Sequence, residues 1–459
     1  MKTTVVGLGY VGLVTAACLA KFGHRVIGIE ADARKLADLA EGRLPFTEPG
    51  LDDLVAASVA ESRLDFGGPE QFAQAAADAD ITILAVGTHD GNGGWQTETI
   101  RKALAAVVPH IRAGRALVIR STLPPEFIGE LPSIVAGLRG DAPAISVLLN
   151  PEFTQEGRAL NDFFHPTRVI CGVVEDLDGS GTELLRELYR DTDAPFVVMP
   201  AIDASFAKLG SNLFLATKIS FANELASLCD AYGARIDTVV DAMALDPRIG
   251  RAFLGAGVGF GGSCLPHQVT MTVKTAQMAG LPTPLLAAVD DVNHAQRAHA
   301  VGRLEQLLPG GLSGAMIALL GLTFKPDTDD LRDAPALTIA RLLLERGASV
   351  TAFDPMLPAR ARAAEMVPGL ELAESLEQAL RGADAAMLVT EWSEFLQVDW
   401  RAVRGLMKRA IVVDGRNVLD DTALVEAGYV YTAFGRGFEL AEPMSLDGAR
   451  HGAAAAGEA

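Results

Sequence analysis

Apolar residues fall into two rhythms along this chain. Short, continuous apolar runs alternate with longer segments of helical spacing at Thr3–Val6, Arg25–Glu30, Ile81–Val86, Ala116–Arg120, Ile145–Leu149 and Arg168–Val173. Continuous rather than alternating apolarity marks strands covered on both faces, so the pattern predicts a doubly wound parallel sheet. From about Ala201 to His299 the strand signal stops, and Ala204–Tyr232 repeats apolar positions at three- and four-residue spacing, which predicts one long helix. Such a helix can form a dimer core or lie buried within a domain, and periodicity leaves both open. After Gly310-Gly311 the βα alternation resumes at Met316–Gly321, Ser349–Phe353, Ala386–Thr390, Ala410–Val413 and Tyr429–Ala433. In both α/β parts the first strand leads into a glycine and an acidic residue closes the second. The expected fold is α/β: two doubly wound parallel-sheet domains, 1–200 and 301–441, joined by a helical segment, 201–300, that holds a long central helix. The remainder, 442–459, is rich in small residues and is expected to be disordered.

Composition narrows the function. The 459 residues carry 39 Lys and Arg against 58 Asp and Glu, a net charge of −19, which opposes sequence-independent attraction to phosphate backbones or anionic membranes. Nucleic acid and membrane are therefore not expected partners. The four cysteines, Cys18, Cys171, Cys229 and Cys264, are widely spaced, with neither a CxxC pair nor a metal-like spacing with histidine. No metal is expected, and a reduced, cytoplasmic location fits. The uncharged run Thr3–Ala20 resembles a signal peptide, but three glycines interrupt it, so the chain is read as unprocessed.

Those glycines have another use. Gly7-Leu8-Gly9-Tyr10-Val11-Gly12 follows the first strand and opens a helix, the strand–turn–helix setting in which GxGxxG brings bare backbone to a pyrophosphate. Glu30 ends the next strand, at the roughly 20-residue offset of the acid that binds an adenosine ribose diol. An acid there repels a 2′-phosphate, so NAD is expected rather than NADP, with Lys35 near the site. Val86-Gly87-Thr88 and Ser121-Thr122 lie at strand ends, where an open Rossmann-like sheet gathers ligand contacts.

Three further features carry chemistry. In Asn150-Pro151-Glu152-Phe153-Thr154-Gln155-Glu156-Gly157 two carboxylates stand four apart, on one face if a helix begins there. Lys208 and Asn212 repeat that spacing on the long helix; a cation and an amide together can hold an oxyanion, or form a solvated edge. Cys264, in Gly259-Phe260-Gly261-Gly262-Ser263-Cys264-Leu265-Pro266, sits behind three glycines where backbone N–H groups can gather around negative charge, and is the candidate nucleophile.

Taken in order, these motifs resemble the UDP-glucose/GDP-mannose dehydrogenase family nearly end to end. Glu48-Pro49-Gly50-Leu51, Phe214-Leu215-Ala216-Thr217-Lys218, Arg248-Ile249-Gly250, Gly321–Asp330 and Asp414-Gly415-Arg416-Asn417 belong to the same pattern. The resemblance implies a four-electron oxidation of a nucleotide-sugar C6 alcohol by two NAD molecules, with Cys264 carrying a thiohemiacetal and then a thioester. It implies that Lys208 and Asn212 steady oxyanions, and that Thr122, Glu152, Glu156 and Gln268 handle water and protons. It further implies cofactor contacts from Gly7, Gly9, Tyr10, Val11, Gly12, Glu30, Lys35, Gly87, Thr88, Ser121, Thr122, Glu156 and Arg332. Substrate contacts are implied for Glu152, Phe153, Lys208, Asn212, Phe260, Gly261, Lys325 and Arg416. Arg248 resembles an arginine offered to a neighbouring subunit, so a homodimer or larger homo-oligomer is expected.

The Glu152-Phe153 and Arg248-Ile249-Gly250 forms are nearer the UDP-glucose branch than the GDP-mannose or N-acetylhexosamine branches, so UDP-glucose is the expected substrate, with another UDP- or GDP-sugar as the alternative. The chain departs from the pattern in having His267-Gln268 where the family has Lys-Asp, and His89 where it has proline. Glutamine orients water without accepting its proton. A hydrolysis-impaired paralogue that binds NAD and a nucleotide sugar is therefore the second expectation.

Overall fold

In the computed structural model residues 1–88 and 94–437 are described; His89 and the segment expected as a disordered tail lie outside them. The chain forms two compact units that do not follow chain order. The first comprises Met1–Leu215, Gly262–Ala287 and Lys325–Arg332; the second comprises Ala216–Gly261, Ala288–Phe324 and the chain from Asp333 onward.

The first unit is built on β1 (Lys2–Val6), β2 (Arg25–Ile29), β3 (Leu64–Gly67), β4 (Ile81–Leu84), β5 (Ala116–Ile119), β6 (Ser146–Leu149), β7 (Val169–Glu175) and β8 (Phe196–Pro200), in the order β3-β2-β1-β4-β5-β6-β7-β8. All pairs are parallel except β6 with β7, which is antiparallel. Every residue of β4, β5 and β6 is buried, as their nearly continuous apolarity, interrupted only by Thr82 and Ser146, predicts. The two strands of this sheet that apolar patterning does not locate, β3 and β8, are its edges; Asp65 breaks the run in β3, whereas β8 is apolar throughout with Val197 and Val198 exposed. The signal-like run Thr3–Ala20 resolves into β1, the glycine turn and a helix, Tyr10–Lys21, buried from Gly12 to Ala20.

The second unit holds an all-parallel sheet, β11-β10-β9-β12-β13-β14, made from β9 (Met316–Leu320), β10 (Ser349–Phe353), β11 (Glu371–Leu372), β12 (Ala385–Leu388), β13 (Ile411–Asp414) and β14 (Val430–Ala433). The predicted long helix spans Ala201–Tyr232.

The two sheets repeat one turn and end it differently. Gly7, at φ +88°, follows β1 and donates its N–H to Ile29 O at 2.8 Å; Gly321, at φ +93°, follows β9 and donates to Phe353 O at 2.8 Å. The acid after the second strand then accepts from the turn. Glu30 takes Leu8 N–H at 3.0 Å, and Asp354 takes Leu322 and Thr323 N–H at 2.6 and 3.1 Å. Asp354 is fully buried and also accepts from Met356 N–H and Trp392 Nε1–H, at 2.8 and 3.2 Å. Its carboxylate is a structural knot enclosed on every side. Replacing it, Asp354→Ala, strands these donors and the Thr323 hydroxyl, most of them buried, and is expected to destabilise the second unit by about 3 kcal/mol, measured as a lowered calorimetric transition.

Candidate active site

The candidate residues of the first unit lie past the carboxyl ends of its strands. A Cβ on Gly12 would fall 1.8 Å from Gly7 O, so that position admits only glycine, whereas one on Gly9 would meet nothing within 4 Å. The turn therefore leaves bare backbone, open on its outer side, at the start of the helix Tyr10–Lys21. Glu30 Oε1 accepts from Ala31 and Asp32 N–H at 2.8 and 3.0 Å, and Oε2, with only Leu8 N–H, keeps a lone pair for a ribose hydroxyl. These residues fit NAD. The next two loops are tied together: Thr88 Oγ1 donates to Thr122 O at 2.6 Å and Ser121 Oγ to Val86 O at 2.7 Å, which fixes Gly87 between them. Lys35 lies on the helix Ala33–Ala40, which Asp32 caps.

Glu152 and Glu156 do not share a helical face. Residues 151–157 form no helix, Gly157 has φ +81°, and the next helix begins at Ala159. Side chains take the N–H groups that a helix would have used. Thr154 N–H goes to Glu152 at 2.7 Å, Gln155 N–H to Asp162 at 3.0 Å, and Gly157 and Ala159 N–H to the buried Glu48 at 2.6 and 2.7 Å. Glu48 also accepts from Tyr10 Oη, so one carboxylate joins the glycine-loop helix to the Glu156 loop. Burial pushes Tyr10 well above the usual phenol range, with Glu48 adding to it.

Freed from a helix, the two glutamates meet different partners. Glu152 Oε1 receives Lys208 Nζ at 3.0 Å, with side-chain exposures of 10% and 5%, and its other oxygen receives the Thr154 hydroxyl at 2.6 Å. Burial pushes Glu152 up, but Lys208 and Thr154 outweigh it and hold the carboxyl below its usual range. Glu156 meets Arg332 at 3.1 Å and the carboxyl of Asp330, and burial together with the Asp330 charge pushes it up to about 8. The surroundings push the two carboxyls in opposite directions, Glu152 toward the ionised form and Glu156 toward the protonated one.

Cys264 caps the helix Leu265–Met278, with Gly262 at φ +83° and its N–H on Arg332 O at 2.9 Å. The residue reaches solvent yet is crowded by protein. That crowding and the Glu152 charge push the thiol up while Lys208 pulls it down; water reaching Cys264 screens part of the upward push. Asn212, one turn beyond Lys208, is 8% exposed. Gln268 is one turn beyond Cys264 and 6% exposed, and its Oε1 has no hydrogen-bond partner. Burial lowers Lys325, against the pull of Glu156 and Glu48.

Phe153 lies under the Arg168 guanidinium, 3.8 Å from ring centroid to Cζ, with Lys208 Nζ at 5.2 Å. In the second unit Arg416 is held by three carbonyls, Val389, Gly259 and Phe324, at 2.6, 2.9 and 3.3 Å. Phe260 is pinned by Asn293 and Arg297, and a Cβ on Gly261 would fall 2.4 Å from Asp333 O. Arg248 is exposed and pairs with Asp246 at 2.5 Å.

Three models of one family match the chain: its NAD binding domain over residues 1–193, its central domain over 203–295 and its UDP binding domain over 318–421. The chain belongs to the UDP-glucose/GDP-mannose dehydrogenase family. It is 38% identical to a UDP-glucose 6-dehydrogenase of Rhizobium meliloti over 444 residues, covering 95% of this chain and 100% of that one. Against a UDP-glucose 6-dehydrogenase of Pseudomonas aeruginosa the identity is 39% over 451 residues, covering 95% and 98%. The solved UDP-glucose dehydrogenase of the archaeon Pyrobaculum islandicum superposes with a TM-score of 0.86 at 36% identity, covering 95% and 98%. This family member is an NAD-dependent oxidoreductase. Among its described residues no group of three or more His, Cys, Asp or Glu is placed to hold a metal ion, and no helix is long and apolar enough to cross a membrane.

Sequence reasoning assigned no role to Glu48, Thr154, Arg168 or Asp330. Glu48 stood in a motif that was noted, but a carboxylate that serves backbone N–H groups about 110 positions away leaves no local signal. The electrostatics at Cys264 predict opposite effects on thiol alkylation. Glu152→Gln removes an anion and is expected to speed iodoacetamide labelling of Cys264 near neutral pH by about tenfold; Lys208→Met is expected to slow it comparably. Labelling rates recorded against pH by intact mass check both directions.

Proposed function

We propose that this dehydrogenase oxidises the C6 alcohol of UDP-glucose to the carboxylate of UDP-glucuronate. The observation that carries the reading is the single cluster of Cys264, Lys208, Glu152 and Glu156, with Gln268 one helical turn beyond Cys264, in the unit that bears the dinucleotide turn. The curated relatives named for UDP-glucose support the choice of sugar. NAD, held by the Gly7–Gly12 turn, Glu30 and the Gly87-Thr88 and Ser121-Thr122 loops with Lys35 and Arg332, supplies the acceptor for a hydride in each of two oxidations.

The chain's own groups do the rest. The Cys264 thiolate adds to the C6 aldehyde carbon, forming a C–S bond, while Lys208 and Asn212 donate to the resulting oxyanion. After the second oxidation C6 is a thioester. A water set by Gln268 and Thr122 attacks it, and its proton goes to Glu152, the ionised carboxylate of the cluster. The C–S bond then breaks and the sulfur leaves as the thiolate that began the cycle, with C6 now the carboxylate carbon. Phe153 and Lys325 contact the nucleotide sugar, as do Phe260, Gly261 and Arg416. The proposal divides the chain at 200, 300 and 441, and places it in the cytoplasm as a homodimer. Phe214, Phe221 and Leu228, exposed at seven-residue spacing along the long helix, support the dimer, with Arg248 offered to the neighbouring subunit.

A second reading, in which the reaction halts at the thioester, is favoured by the amide at Gln268. NADH release and intact mass, followed in the same tube with UDP-glucose, GDP-mannose and the N-acetylhexosamine nucleotides, separate the two. Steady production of two NADH per UDP-glucose is expected. Cys264→Ser abolishes carboxylate formation, and Gln268→Asp raises turnover by about tenfold or more where hydrolysis limits it. A single burst with a covalent sugar nucleotide on Cys264 selects the second reading, and no NADH from any sugar overturns both.

A further inference from the structure

We infer that Asp330 is a positioning residue for Glu156: it shares one proton with that carboxyl and locks Arg332 across the pair, so that Glu156 enters the reaction as an acid. The inference rests on the proposed reaction, in which Glu156 belongs to the cluster that handles water and protons.

The geometry assigns the charge. Arg332 Nε lies 2.9 and 3.0 Å from the two Asp330 oxygens, its Nη2 lies 2.7 Å from Oδ2, and its backbone N–H reaches Oδ1 at 2.9 Å. Glu156 receives only one contact from the same guanidinium, at 3.1 Å. With side-chain exposures of 12% and 11%, the two carboxyls are largely out of water, and a single cation cannot balance both. One proton makes the group neutral. It goes to the carboxyl with fewer donors, Glu156, which hydrogen-bonds to Asp330.

The remaining charged neighbours do not reverse this. Lys325 favours ionised Glu156 but is outweighed by burial and by Asp330. Tyr10 and Cys264, like Glu48 beyond them, bear either no charge or a negative one, and so oppose a second carboxylate. Holding Glu156 neutral has a chemical use: the Cys264 thiolate then faces one anionic glutamate, Glu152, instead of two.

Asp330→Asn removes the like charge and frees Arg332 to turn fully to Glu156. Both changes favour ionised Glu156, so the limb of the kcat/KM pH profile set by Glu156 is expected to move to lower pH by about one unit or more, and Asp330→Glu to restore it. Circular dichroism and Tm establish that the variants fold. The proton is also read without turnover: the carbonyl stretch of a protonated carboxyl, seen by infrared difference spectroscopy at neutral pH, is expected in the unaltered protein and lost in both Glu156→Gln and Asp330→Asn. An active enzyme whose Asp330→Asn variant keeps both the limb and the stretch overturns the inference and leaves the proposed reaction standing. If no nucleotide sugar is oxidised, the proposed reaction falls, and the infrared result alone upholds or overturns the shared proton.

Discussion

Burying an isolated carboxylate is strongly unfavourable, and Glu152 is tolerated inside the first unit because Lys208 reaches it from the long helix at 3.0 Å. Removing one partner of such a pair costs about 3–5 kcal/mol, since the other charge is left uncompensated. The pair therefore holds the non-helical stretch 151–157 against the helix Ala201–Tyr232. It places Phe153 beneath Arg168, and it sets the balance of charge felt by Cys264. Lys208 stabilises a thiolate and Glu152 opposes it, so the thiol is tuned by a pair whose net charge is near zero. In the proposed chemistry the same ammonium also faces the oxyanion, a role that an unpaired lysine, free to swing, fills less well.

The paired sheets illustrate how one turn serves two ends. Both begin with a strand, a left-handed glycine and an acid that ties the turn down. In the first unit that acid is a glutamate with a spare lone pair at the surface of an open glycine loop. In the second it is a shorter aspartate, fully buried and surrounded by backbone and indole donors. Side-chain length and donor count, rather than topology, decide which turn can receive a dinucleotide ribose.

This contrast also marks what the sequence made legible. Nearly unbroken apolar runs located β4, β5 and β6 because burial on both faces leaves room for only small hydroxyls, Thr82 and Ser146, among their apolar residues. Edge strand β3 is broken by the exposed Asp65 and gave no such run, whereas β8 is apolar throughout yet solvated, so apolarity there did not report burial. GxGxxG with Glu30 was readable because its residues act on their immediate neighbours. The spacing of Glu152 and Glu156 misled, since a four-residue interval implies a shared face only within a helix. Here Glu48 and Asp162, distant along the chain or beyond the loop, captured the N–H groups a helix needed. Asp330 was hidden for a related reason: its effect on Glu156 depends on a contact across more than 170 positions.

The proton ledger of the cluster bears on why glutamine at 268 matters. Thioester hydrolysis needs a water held in place and a group to take its proton. In the proposed reaction the first need falls to Gln268, whose buried Oε1 has no donor from the protein and can accept a water O–H. It cannot meet the second. With the inferred shared proton on Glu156, that carboxyl is no base, and Glu152, held low by Lys208, is a weak one. The arrangement that limits the negative charge facing Cys264, with one carboxyl neutral and the other paired, thus leaves little basicity for the last step. In the proposed reaction oxidation is well served and hydrolysis becomes the slow step, because the two stages draw on the same few charges with opposite demands.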